Sequence, residues 1–233
     1  MRNIVSTTII GIAVIATAVI LGNAFKDRYN YQDTIQVTGL GKSDFTSDLV
    51  VWSGYFVRKS DNISSGYNQL NADRETIKQY LTEKGLAPDA LVFSSVEINR
   101  DYDNYYDERG KYISRFIGYS LTQNVTVESM EVDKIEYISR EVTELLNKGV
   151  EFYSNAPLYY YTKLDSLKID LIAAATKDAT MRAENIAGNA GASLGDLKSA
   201  SMGVFQIIAQ NSNEDFSWGG AFNITAKKKT ANV

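Results

Sequence analysis

The pattern of apolar and polar residues divides the chain into an uncharged N-terminal run and a longer region in which strands and helices alternate. Apolar residues at every second position predict half-buried strands, whereas apolar residues three and four positions apart predict helices. The predicted strands cover residues 34–39, 49–57, 91–98, 112–127, 150–154, 197–208 and 222–233. The predicted helices cover residues 61–85, 131–147 and 166–190.

Each of the three predicted helices carries an apolar face and ends at a glycine. Asp61 or Asn62 can cap the first helix, which ends at Gly85, while the other two end at Gly149 and Gly191. The face residues are Ile63, Tyr67, Leu70, Ile77 and Leu81 in the first helix, Val132, Ile135, Val142 and Leu145 in the second, and Ile172, Ala175, Ala179, Ala183, Ile186 and Ala190 in the third.

Polar segments rich in Gly or Tyr separate these elements. Residues 39–41 predict a turn, residues 101–111 a Tyr-rich loop, and residues 157–161 a loop or its border. The element order favours an α+β fold, with mixed or antiparallel sheets and helices packed on one side. The helix-and-two-strand pattern partly recurs, which suggests two similar subdomains. The last strand still continues at Val233, as if cut short or completed by another chain.

The N-terminal run has no charged residue from Asn3 to Phe25. About 20 apolar residues in a helix span the core of a bilayer. We therefore expect residues 1–28 to be a transmembrane anchor, or else a cleaved signal segment, and residues 29–233 to form the α+β domain outside the cytoplasm. A buried core helix is the third interpretation. The residues expected to face lipid are Ile4, Ile10, Val14, Ile15, Val19 and Leu21.

The composition removes several kinds of chemistry. The chain of 233 residues has 0 His and 0 Cys, so it cannot supply a Ser-His-Asp or Cys-His nucleophile, and its own side chains offer no His or Cys ligand for zinc. A formal net charge of −4 argues against a general nucleic-acid binder. Carboxylate, Lys, Tyr or Ser chemistry, or no chemistry, remains. We expect a protein that is not an enzyme and has neither a cofactor nor a nucleic-acid partner.

Two charged segments need separate interpretation. Asp101, Asp103, Asp107 and Glu108 offer oxygen ligands for Ca²⁺, but the EF-hand spacing fails, so a solvated hairpin loop is the preferred interpretation. Lys227–Lys229 alternates across the last predicted strand and is expected to protect a sheet edge from aggregation. Binding of an anionic partner is the alternative for these lysines.

Tyrosines are concentrated after the second helix. Tyr153, Tyr159, Tyr160 and Tyr161 are candidates for an interface, because exposed aromatic side chains are typical of contacts between proteins and of sugar-binding faces. The alternative is partial burial under the helices.

Four segments in order carry a family resemblance. Residues 34–41 read I-x-V-x-G-x-G from Ile35; residues 84–86 and 92–96 form a helix end followed by a strand; residues 118–127 begin Gly-Tyr and continue as a strand; and residues 173–195 form an Ala-rich helix ending A-G-x-x-L-G. In these segments the chain resembles SIMPL-domain proteins. The resemblance covers about residues 33–233.

The resemblance implies an α+β domain in a bacterial periplasmic or envelope-anchored protein. It also implies ring- or channel-like homo-oligomers and a link to oxidative stress, and it transfers no catalytic residue. We expect a domain on the periplasmic side of the inner membrane that acts by self-assembly or by binding an envelope protein. The alternatives are a carboxylate-dependent hydrolase of envelope glycans and an adaptor that works through its Tyr-rich segments.

Overall fold

The computed structural model describes residues 2–29, 34–215 and 217–233, with the side chains of residues 2–10 and 26–29 left out. The chain forms two compact units, one of residues 1–40 and 176–200 and one of residues 41–175 and 201–233. The α-helices are α1 (Arg2–Tyr29), α2 (Ile63–Glu83), α3 (Val132–Glu141) and α4 (Leu164–Asn189), with 3-10 turns at Pro88–Ala90 and Val142–Lys148. The strands are β1 (Lys42–Thr46), β2 (Leu49–Ser60), β3 (Leu91–Phe93), β4 (Glu97–Tyr106), β5 (Tyr112–Ser129), β6 (Phe152–Ser154), β7 (Leu158–Tyr160), β8 (Gln206–Ala209), β9 (Ala221–Phe222) and β10 (Lys228–Asn232).

A six-stranded antiparallel sheet holds the main core. Its order is β3–β5–β2–β6, with β4 also paired to β5 and β7 also paired to β2. Along β2, buried Val50, Trp52 and Phe56 alternate with partly exposed residues, and they cluster with buried residues of α2 and α3. The helices therefore pack on one face of this sheet, which confirms the predicted α+β fold.

A smaller sheet of order β1–β10–β8–β9 lies in the same unit. Its pairs are antiparallel except β8–β9, which is parallel, so the molecule contains a mixed as well as an antiparallel sheet. Leu167 and Leu171 of α4 pack with Ile207 and Ala231 to form a second core. Because β10 lies between β1 and β8, the strand from the end of the chain is central in this sheet.

Four predicted strands are placed, shortened or divided differently in the structure, and one of them, 222–233, is divided into β9 and β10. Residues 34–39 are not a strand; pairing with β10 begins at Gly41, opposite Val233, and among the described residues no strand lies beside 34–40. The predicted strand 197–208 is reduced to β8, since residues 197–204 are exposed and have no described partner strand. The predicted strand 91–98 is divided into β3 and the start of β4.

The predicted face of α4 is confirmed in its middle, where Ala175 and Ala179 are partly buried, and is wrong at both ends. Ala183 and Ala187 are buried, at 7% and 2% exposure, whereas Ile172 and Ile186 are exposed. Alanine occupies so many positions of this helix that spacing alone does not select the buried row. The actual row follows Leu167 and Leu171 at intervals of four residues.

The N-terminal run forms α1, as expected for an anchor or a signal segment. Its described side chains, from residue 11 to residue 25, are all exposed. Ile4 and Ile10 lie outside the residues whose side chains the structure describes. Within the described part of the chain, no helix combines the length and the apolar character that crossing a membrane requires.

Candidate interaction surfaces

A long hairpin replaces the predicted loop at residues 101–111. β4 continues to Tyr106 and pairs with β5 from Tyr112 onward, with a register shift between Asp101 and Tyr102. The Asp107 carboxylate accepts hydrogen bonds from the backbone N–H groups of Arg109 and Lys111, both at 2.9 Å, which closes the turn. The loop prediction was wrong because the polar residues that suggested it alternate with strand-forming tyrosines.

The outer part of this hairpin, residues 101–118, extends past the end of β2; we call it the aromatic arm. β2 pairs with β5 only as far as Ser60 opposite Tyr119, so within the described residues each strand of the arm has one neighbour. Its exposed apolar side chains are Tyr102, Tyr105, Tyr106, Tyr112, Phe116 and Ile117, at 44–70% exposure. The arm therefore presents a large apolar surface on a two-stranded ribbon.

Edge-to-face ring contacts hold the arm together. The ring centroids of Tyr102 and Phe116 are 5.8 Å apart, and those of Tyr106 and Tyr112 are 5.4 Å apart, across the strand pair. Such cross-strand aromatic pairs contribute about 0.2–1 kcal/mol each to a strand pair. At the base, Gly118 has φ 148°, and a Cβ there would come within 2.7 Å of the Ser60 carbonyl oxygen, so only glycine fits without a shift.

The acidic residues of the predicted loop are dispersed. Asp101 pairs with Lys59 at 3.2 Å, Asp103 pairs with Arg115 at 3.1 Å, and Asp107 closes the turn. Among the residues that the structure describes, no group of three or more acidic side chains is placed to hold a metal ion.

The four tyrosines proposed as an interface occupy different environments. Tyr159 is only 7% exposed and belongs to the main core, so its side chain offers no contact surface. Tyr161 packs on Phe45 with ring centroids 4.7 Å apart, beside the second core. Tyr160 is partly exposed on β7, and Tyr153 is 42% exposed on β6. An interface role stays a prediction, and the structure gives Tyr153 the largest exposed surface for it.

Tyr153 lines an open recess of about 440 Å³ beside the edge of β2, which we call the Tyr153 recess. Its ring is stacked on Tyr55, with centroids 4.8 Å apart and planes at 11°. The Tyr153 hydroxyl donates to the Glu151 carboxylate, and this hydrogen bond raises the pKa of Tyr153. Arg58, Lys59 and Gln69 complete the wall.

Arg58 has a structural role in that wall. It donates from Nη2 to Oδ1 of Asp73 at 2.7 Å and to the Gly149 carbonyl oxygen at 2.8 Å, and its Nε donates to the other oxygen of Asp73. Asp73 is 5% exposed. The bidentate pair joins β2 to α2 and to the end of the 3-10 turn, and it raises the pKa of Arg58.

Comparison with known families identifies the chain. Residues 35–228 match the family SIMPL, described as a protein of unknown function (DUF541). The chain belongs to the SIMPL family. The match covers the six-stranded sheet, the aromatic arm, the Tyr153 recess and the smaller sheet apart from β10 beyond Lys228. No curated protein matches the chain.

In this SIMPL protein Lys227–Lys229 do not protect a sheet edge, which corrects the sequence prediction, because β10, which begins at Lys228, is an interior strand. Lys227 forms ion pairs with Asp133 and with Glu136, the latter at 3.1 Å. Lys229 is 1% exposed, and its Nζ donates to the Tyr159 carbonyl oxygen at 2.6 Å. Both side chains therefore connect β10 with neighbouring elements.

The sequence analysis of this SIMPL protein predicted a hairpin loop here but missed that β4 continues to Tyr106, although a signal for it exists. Tyr102 and Tyr106 lie at even spacing before the Asp107–Gly110 turn, and Tyr112 and Phe116 lie at even spacing after it. Aromatic residues alternating on both sides of an Asp- and Gly-containing turn are typical of a hairpin.

Proposed function

We propose that the protein is a non-enzymatic cell-envelope protein that acts by self-assembly or by binding another protein through its aromatic arm. We further propose that α1 anchors it in the inner membrane, that its domain lies in the periplasm, and that it serves envelope or oxidative stress protection. The observation that carries the proposal is the arm, with six exposed apolar side chains on a ribbon that has two free edges within the described structure.

The arm has the properties of a contact surface. Two-stranded ribbons are marginally stable in water, and a strand edge with unpaired backbone groups is a template for another strand. Exposed aromatic clusters of this kind mark interaction sites. Residues 101–118 include four acidic and three basic residues, so two copies of the arm would approach with little net repulsion.

Exposure of α1 supports the membrane anchor. Val14, Ile15, Val19 and Leu21 are 56–66% exposed, and residues 11–25 contain no charge. An uncharged helical segment whose large aliphatic side chains are exposed is better matched to lipid than to water.

The test is the mass of the full-length chain in detergent, measured by light scattering over a range of concentrations. Tyr106→Thr combined with Tyr112→Thr removes the two rings at the tip and keeps residues that favour strands. We expect the wild type to assemble and this variant to dissociate at least about tenfold more readily, since aromatic anchors dominate such contacts.

The matched control is Tyr67→Ala combined with Tyr137→Ala. These rings are 45% and 57% exposed but lie on α2 and α3, outside the arm. A wild-type chain that stays monomeric, or an arm variant that assembles as the wild type does, would contradict the proposal.

A further inference from the structure

The Tyr153 recess is open to solvent and large enough to admit a small ligand. Its volume of about 440 Å³ falls within the range that small-molecule pockets occupy. β6 covers the edge of β2 only from Gly54 to Phe56, so the recess begins where that cover ends. The aromatic arm is not part of this wall, and the inference below goes beyond the proposed function and does not depend on it.

One wall of the recess consists of two stacked tyrosine rings, those of Tyr55 and Tyr153, which we call the aromatic step. Tyr55 and Tyr153 are cross-strand neighbours in register, stacked at 4.8 Å. The hydrogen bond from the Tyr153 hydroxyl to Glu151 restrains the outer ring, which is 42% exposed. A restrained ring is ready to receive the flat, apolar face of a ligand at little cost in conformational entropy.

The rest of the wall is polar and of mixed character. Glu151 accepts hydrogen bonds, the Lys59 ammonium donates them, and the Gln69 amide can do both. Arg58 is held by Asp73 and Gly149, so it contributes positive charge from a fixed position. Donors and acceptors therefore surround the aromatic step together.

This combination selects against three ligand classes. A wholly apolar ligand would desolvate Glu151 and Lys59 without replacing their hydrogen bonds. An anionic ligand would approach Glu151, and a cationic ligand would approach Arg58 and Lys59. A neutral ligand ring with one apolar face and a rim of hydroxyl groups can stack on the tyrosine rings and also form hydrogen bonds with the polar side chains of the wall.

We propose that the Tyr153 recess binds a neutral saccharide unit, with Tyr153 as its stacking platform and Glu151, Lys59 and Gln69 as its hydrogen-bonding groups. The recess is suited to binding rather than cleavage. Glu151 is the one carboxylate among its lining residues, whereas glycoside hydrolysis ordinarily uses two. An extended peptide added to the edge of β2 is the competing occupant and is tested alongside.

The experiment is a titration of the full-length chain in detergent, followed by saturation-transfer NMR and calorimetry. The probes are chitotriose and maltotriose as neutral saccharides, the deacetylated chitosan trimer as a cationic one, a trigalacturonate as an anionic one, and an uncharged tetrapeptide. We expect a neutral saccharide to bind with a dissociation constant on the order of 1 mM and the charged ones more weakly.

Variants of the recess distinguish the loss of a stacking contact with the ligand from a general loss of folding. We expect Tyr153→Ala to weaken binding on the order of fivefold and Tyr153→Phe to stay within about twofold of wild type, because phenylalanine keeps the ring. Glu151→Gln removes the negative charge, so it should improve binding of the trigalacturonate relative to the neutral probes. Tyr137→Ala is the matched control, since it removes an exposed ring on α3.

The possible outcomes either support or overturn the assignment. Neutral saccharide binding that Tyr153→Ala weakens and Tyr153→Phe retains supports it. It is overturned if neither neutral probe binds at about 10 mM, if a charged saccharide or the tetrapeptide binds more tightly, or if Tyr137→Ala weakens binding as much as Tyr153→Ala does. Because the arm is unchanged in these variants, the result is independent of the assembly test.

Discussion

The ammonium group of Lys229 is buried in the protein interior, where it donates a hydrogen bond to one carbonyl oxygen. Its Nζ reaches the Tyr159 carbonyl oxygen at 2.6 Å and lies 5.8 Å from the centroid of the Phe222 ring. Among the described residues no ion pair is formed by this lysine. Burial lowers the pKa of Lys229 to about 8, because the charged form loses its hydration.

This burial predicts a pH dependence of stability. The pKa in the unfolded chain is about 10.4, so between pH 8 and pH 10.4 the unfolded chain binds more protons and stability rises with pH. Below pH 8 the penalty for burying the charge is constant, and above pH 10.4 it is gone. Relative to Lys229→Met, the free energy of unfolding of the wild type should rise by about 3 kcal/mol from pH 7.5 to 10.5.

Urea unfolding of both chains across this range is the measurement. Lys228→Met is the control, because Lys228 is the exposed neighbour on the same strand and its replacement should leave the difference from wild type nearly flat. Parallel pH profiles for the wild type and Lys229→Met would show that the ammonium is not desolvated in the folded protein.

Asn62 determines where the element α2 begins. Its side-chain oxygen accepts from the backbone N–H groups of Ser64 at 2.9 Å and Ser65 at 3.1 Å. Asn62→Ala should therefore lower the free energy of unfolding by about 1 kcal/mol. Asp61→Ala, at the adjacent candidate from the sequence, should change it by less than about 0.5 kcal/mol. Equal losses in thermal or urea unfolding would disprove the assignment of the cap.

Elements defined by local chemistry could be predicted from the sequence. The caps of α2, the long alternation of β2 and the apolar face of α3 depend on residues close in the chain. Residues 34–39 alternate just as well, but a strand also needs a partner, and pairing with β10 reaches only to Gly41. A local sequence pattern does not show which distant segments pair with one another. The strand predicted at residues 34–39 was therefore misplaced, and β1 was missed.

The candidate surfaces depend even more on distant contacts. Tyr153 and Tyr159 are alike in the sequence, yet one is exposed and the other is buried. Their difference arises from the strand register, because Tyr159 lies opposite the buried Val50 of β2 and Tyr153 lies opposite the partly exposed Tyr55. The Tyr153 recess is lined by residues of β2, α2 and the start of β6. Because these segments are far apart in the chain, no local sequence pattern predicts the recess.

For the whole molecule, the expected membrane attachment can be tested by introducing charged residues into α1. Val14→Arg combined with Val19→Arg should move the full-length protein from the membrane fraction to the soluble fraction, since each Arg near the helix centre costs about 2.5–3.5 kcal/mol on insertion. Val14→Ile combined with Val19→Ile is the control and should remain with the membrane.

The intact mass of the recovered protein distinguishes an anchor from a cleaved leader. An anchored chain should retain α1, whereas cleavage would give a protein that begins near Phe25. A double-Arg variant that stays in the membrane fraction as the wild type does would contradict anchoring by α1.

The central position of β10 has a consequence for biogenesis. β1 starts at Lys42, yet its partner residues run from Lys228 to Asn232. Until Lys228–Asn232 have left the ribosomal tunnel, β1 and β8 lack the strand that joins them, and the smaller sheet cannot close. Long-range pairing of this kind forms slowly. The smaller sheet therefore stays open in every nascent chain that has not yet released β10, whereas β2 can pair with β5 once Ser129 has emerged.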